Sequence, residues 1–168
     1  PVSDCNMKSN NPNDYCPICQ RAVEARLKYY FDEKVTLPGT LKIAAPSKSL
    51  GLDPFYKKHL DAKGIAIVGS HKVPDEAFFR VRKTVLQMLS KRPDVLAKMV
   101  ENKARIGIMA RYEGTTEIPE HRELAQDTSI NWDLRARGLG ADIETPITTC
   151  AEENLLGYEL DKYHNQFY

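Results

Sequence analysis

The chain has 168 residues, 42% of them apolar and 28% charged, with 24 Lys and Arg against 23 Asp and Glu for a net charge of +1. That composition excludes wholesale disorder and low-complexity fibres, and so even a charge balance argues against a dedicated nucleic-acid binder, which carries a strong basic excess. The longest apolar run, Ile65-Ala66-Ile67-Val68, is strand-sized and far short of the roughly 18 residues that span a bilayer, so no membrane span is expected.

In chain order, residues 1–15 are polar, with Asn, Asp, Ser and Pro12, and read as an extended tether. The chain starts at Pro1 with no apolar leader and so reads as a processed or trimmed product. We expect residues 1–16 to form a Cys-containing N-terminal extension and 17–168 a single α/β domain, incomplete at its C-terminus. From Pro17 to about Phe31 the apolar residues Ile18, Ala22, Val23, Leu27 and Tyr30 recur near helical spacing. Residues 32–63 are less regular, with Phe55, Tyr56 and Leu60 expected in a short helical turn. Ile65–Val68 is a buried-strand candidate ending at Gly69. Pro74, Asp75 and Glu76 open a helix expected to run to about Ser90, with Ala77, Phe78, Val81, Val85, Leu86 and Leu89 facing a core. Pro93-Asp94 starts a second helix that ends at Asn102-Lys103, and Ala104–Ala110 is a second strand. The order strand–helix–helix–strand predicts a mixed α/β (α+β) fold: a small mixed sheet with packed helices. Residues 111–150 show little periodicity and read as a long ordered polar loop region, of the kind that often carries function. Leu155 and Leu156 begin a last apolar cluster, and the chain reads as interrupted in mid-element at its end.

The cysteines are Cys5, Cys16, Cys19 and Cys150. An even count beside a processed start favours two disulfides in an oxidising compartment, one of them tying the N-terminal segment to the region of Cys150. The competing readings are a zinc half-site or a redox pair at Cys16-Pro-Ile-Cys19; the first lacks a second ligand pair and the second lacks a βαβ context.

Three polar runs could carry chemistry. Glu113, Thr115, Thr116, Glu117, Glu120 and His121 could coordinate a metal or orient a substrate; the plainer reading is a solvated loop that satisfies its own backbone. In Trp132-Asp-Leu-Arg135-Ala-Arg137-Gly-Leu-Gly the two arginines could clamp a carboxylate, or pin the loop through bidentate ion pairs, with the lone Trp anchoring it on the core. Thr148-Thr-Cys150-Ala-Glu152-Glu153-Asn154 could hold a nucleophile or an acid–base pair, but a disulfide role for Cys150 and ion pairs from Glu152 or Glu153 to Arg135 or Arg137 are favoured. The sequence has no H-E-x-x-H, P-loop, G-x-G-x-x-G or G-x-S-x-G motif.

From Gly64 to Tyr163 the chain resembles a family of secreted, mostly bacterial, zincin-like metallopeptidases. The resemblance is carried by GIAIVGSHKVPDEAF (64–78), RPDVLAKMVENKARIGIMA (92–110), EGTTEIPEH (113–121), WDLRARGLGA (132–141) and TTCAEENLL (148–156). It implies a zincin-like N-terminal lobe, a secreted protein and, in the family, a zinc-binding H-E-x-x-H helix shortly after the block that here reaches Tyr163. No metal ligand carries over to these residues, so no cofactor is expected within this chain and zinc only with a downstream H-E-x-x-H segment. What carries over is a substrate-binding or structural polar shell: Glu120, His121, Arg135, Arg137, Glu152, Glu153 and Asn154. The expected partner is a C-terminal fragment of the same precursor or a second copy of the chain. The alternative is a non-catalytic extracellular binding or assembly module on the same fold.

Overall fold

In a computed structural model the chain divides into two units, Pro1–Thr36 and Leu37–Tyr168. The structure describes residues 41–157, in the second unit, together with Arg21. The expected extension, the helix over Pro17–Phe31, and Cys5, Cys16 and Cys19 lie outside the described residues.

Four strands form one mixed sheet: β1 (Lys58–Ala62), β2 (Ile65–Gly69), β3 (Arg105–Met109) and β4 (Ile147–Ala151), in that spatial order. β1 and β2 are antiparallel, whereas β3 and β4 join parallel to β2. A two-residue turn closes the β1–β2 hairpin, with Lys63 at φ 55° and Gly64 at φ 95°. Both central residues in the left-handed region match the twist of the flanking strands, and Gly64 takes that conformation without a steric cost. The parallel pairs need longer crossovers. From β2 to β3 the chain runs through α1 (Asp75–Met88) and α2 (Pro93–Glu101). Asp75 and Glu76 sit in the first turn of α1, and Pro93 opens α2, as the start signals require.

The two sheet faces follow from the alternation of the strands. Ile65, Ile67, Ile106 and Ile108 face α1, whose buried residues are Ala77, Phe78, Phe79 and Val81. Gly69 lies beneath the Phe78 ring. Burying a side chain of this size contributes about 1.5–3 kcal/mol, so the first half of α1 holds the helix to the sheet. Val85, Leu86 and Leu89 are only half-buried, and no residue of α2 is buried. The other face carries Ala66 and Val68 from β2, Gly107 and Met109 from β3, and Ile147 and Ala151 from β4. It is covered by Phe55 and Tyr56 on one side and Ile118 on the other.

Two strands were not expected. Leu60 lies in β1, not in a helical turn, because the hairpin pairs it with Ile67. β4 falls inside the stretch without periodicity, since Thr148 and Thr149 blur its alternation. That stretch also forms 3-10 turns at Thr115–Glu117 and Pro119–Gln126 and a single helical turn, α3 (Trp132–Arg135). A short α4 (Glu152–Leu156) follows β4 directly and packs against α1.

Candidate functional site

The polar centre of the molecule is Arg137, whose side chain is 3% exposed. Its position is set by α3. Asn131 caps that turn by accepting the Leu134 N–H, and Asp133 accepts the Thr116 N–H at 2.8 Å. Thr115 Oγ1 then donates to the carbonyl of buried Ala136. With residues 131–136 tied to the 3-10 turn, residue 137 enters the interior.

There the guanidinium meets Glu153, at the start of α4, in a two-pronged ion pair: Nε to Oε1 at 2.7 Å and Nη2 to Oε2 at 3.1 Å. It also donates to the carbonyls of Glu113, Ala110 and Arg111. Planar donors matched to a carboxylate and three carbonyls are a task that Arg performs and Lys does not. Glu113 is fully buried, and its Oε2 accepts the Ala110 N–H at 2.8 Å. Its Oε1 has no hydrogen bond and faces the ammonium of Lys72, half exposed, at 3.7 Å. Glu113 was expected in a solvated loop; the dense backbone demand at the end of β3 draws it inward instead. Glu152, next to Glu153 in sequence, is also buried, whereas Asn154 and Arg135 are exposed.

A second cluster lies on the covered face of the sheet. The Tyr56 hydroxyl donates to Glu120 Oε2 at 2.5 Å, and Arg105 Nη2 lies 3.5 Å from Glu120 Oε1. Burial and the Glu120 carboxylate push the Tyr56 phenol far above its usual pKa. His121 is 6% exposed, with Nε2 3.4 Å from Thr149 Oγ1. Burial lowers its pKa, against the opposing charges of Glu120 and Asp142. Tyr56, Arg105 and Lys72 escaped sequence reading because each is far in sequence from the acid it serves. The Arg137–Glu153 pairing was among the expected ones.

Among the described residues Cys150 has no disulfide partner, and its Sγ lies 3.8 Å from the Gly107 carbonyl. Burial pushes its pKa up to about 12, with Glu153 adding its charge, so it is poorly suited to act as a nucleophile. Trp132 is partly buried and gives its indole N–H to Asp127 at 3.2 Å.

Among the described residues no three His, Cys, Asp or Glu side chains converge as a metal site. Glu120 and His121 have donor atoms turned to Tyr56, Arg105 and Thr149, an arrangement that does not fit a zinc ion. No helix among the described residues is long and apolar enough to cross a membrane. Comparison of the chain with protein-family models, curated protein sequences and solved structures gives no match.

Proposed function

We propose that this chain is a scaffold lobe of a secreted, zincin-like metallopeptidase-family protein and is not catalytic by itself. The observation that carries this reading is the meeting of three blocks at one guanidinium. Glu113 opens the EGTTEIPEH block, Arg137 sits in RARGLG, and Glu153 sits in CAEENLL. These are three of the five blocks on which the resemblance rests, and a shared structural task accounts for their occurring together. The task is positional: the pair ties the start of α4, which packs against α1, to the loop that carries Arg137. In this reading hydrolysis belongs to an H-E-x-x-H segment, and the residues described here contribute no step to it.

The alternative is a non-catalytic extracellular module. One observation favours it: Glu120, His121 and Glu153 are all engaged by structural partners, leaving none of them poised as a general base. The full product of the gene and the 168-residue chain, assayed side by side, separate the two. Stoichiometric zinc and chelator-sensitive peptide hydrolysis in the full product, with neither in the 168-residue chain, support the first reading. A full product without bound zinc overturns it and leaves the module.

A further inference from the structure

β4 is the last strand of the sheet, and its outer edge is not bare. The Thr149 N–H donates to the Leu139 carbonyl, and the Leu139 N–H donates to Thr149 Oγ1, both at 2.9 Å. Gly138 makes this approach possible: a Cβ there would lie 2.6 Å from the Thr149 carbonyl oxygen. The hydroxyl that takes the Leu139 N–H is the one that faces His121 Nε2. His121 belongs to the covering 3-10 segment, so one hydroxyl joins two pieces of loop across an edge strand.

We propose that protonation of His121 releases the Gly138–Leu139 segment from β4, so that this sheet edge is closed at neutral pH and opens in mild acid. The argument is a count of protons. The Thr149 hydroxyl has one proton to give and already accepts the Leu139 N–H. With a neutral ring that accepts at Nε2, the hydroxyl proton is satisfied by His121. An imidazolium turns Nε2 into a donor. Thr149 then accepts twice and its own proton loses the acceptor that His121 supplied, which is a costly arrangement at a buried site.

The surrounding charges do not cancel the effect. On its own segment His121 has Glu120, held by Tyr56 and Arg105, and Arg122, which is paired with Asp53. The loop before β4 contributes Asp142. Arg105 stands on the same face of β3, and the residues of β4 on that face, Ile147, Thr149 and Ala151, do not titrate. Glu120 and Asp142 favour the imidazolium, yet desolvation outweighs them and lowers the pKa of the ring in the closed state. Once the segment lifts, water reaches the ring and its pKa returns to about 6.5. The open form therefore binds one proton more than the closed form.

Amide hydrogen exchange on the intact chain tests this, with Leu139 and Thr149 as reporters and Ile108 in β3 as the reference. After correction for the intrinsic pH dependence of exchange, protection of Leu139 and Thr149 is expected to fall about tenfold per pH unit below about pH 6.5, the signature of one proton taken up on opening. Ile108 keeps its protection. In His121→Gln, whose amide bonds Thr149 without titrating, the slope vanishes. Gly138→Ala opens both reporter amides already at neutral pH while Ile108 stays protected, a result that does not depend on the His121 variant folding. Flat protection in the native chain, an equal slope in His121→Gln, Ile108 falling in step, or unchanged protection in Gly138→Ala each overturns the proposal.

Discussion

At the scale of single residues, Arg137 and Glu153 depend on each other. Each is nearly fully buried, and a buried charge stripped of its partner costs far more than the pair contributes by being intact. Arg137→Met should lower stability by about 3–5 kcal/mol in urea unfolding. Adding Glu153→Gln should restore part of that loss, because the orphaned carboxylate is gone; equal or greater loss in the double variant contradicts the account. Two histidines, His121 buried and His59 partly buried, give a pH signature. Burial lowers the pKa of both His59 and His121, so the unfolded chain binds more protons than the folded one. Their stabilisation is complete above the unfolded value of about 6.5 and is lost as pH falls through the lower folded values. The urea midpoint should therefore drop between neutral pH and pH 5, and replacing both histidines by Gln should flatten that drop.

At the scale of elements, hydrophobic patterning and start signals made α1, α2, β2 and β3 legible from sequence. Pro74 with two acids, Pro93 with one, and two short apolar runs bounded by turns are local signals, and local signals survive folding. β1 and β4 left weaker ones. KHLDA has two charges in five residues and is a strand because a tight turn folds it onto β2. ITTCA is a strand because a parallel neighbour more than thirty positions away pairs with it. The same division holds in the site. Arg137 with Glu153 was among the expected pairings, since two closely spaced arginines and the adjacent Glu152 and Glu153 lie near one another in the chain. The Lys72–Glu113 and Tyr56–Glu120 pairs are set by tertiary structure alone. The hairpin turn offers a direct check. Lys63 occupies a left-handed position that Asn adopts more readily, so Lys63→Asn should stabilise the chain by about 0.5 kcal/mol. Gly64→Ala should destabilise it by more than about 1 kcal/mol, because the left-handed backbone and the Val100 side chain 3.0 Å away both oppose a methyl. Thermal unfolding followed by circular dichroism reads both.

At the scale of the whole molecule, charge is used in two ways. Pairs such as Lys98–Glu101 and Arg92–Asp94 sit on the surface with more than half of each side chain exposed, where salt screens them and their contribution is small. Arg137–Glu153 lies where salt does not reach. The urea midpoint should then move little between low and molar sodium chloride, and a large fall would place more of the stability on surface pairs than their exposure allows.

The path of the chain through its sheet also sets a sequence of events in time. β1 and β2 close on a two-residue turn, and α1 and α2 form between β2 and β3, so three strands can assemble from near neighbours. β4 waits for the excursion from Ala110 to Pro146 to fold back, and closing that long loop is slow relative to hairpin formation. Interactions made only after it closes belong to the downhill side of the folding barrier. In stopped-flow measurements Arg137→Met should accordingly speed unfolding and leave the refolding rate nearly unchanged, whereas Gly64→Ala should slow refolding. The buried arginine thus governs how long the molecule stays folded, and the hairpin how soon it gets there.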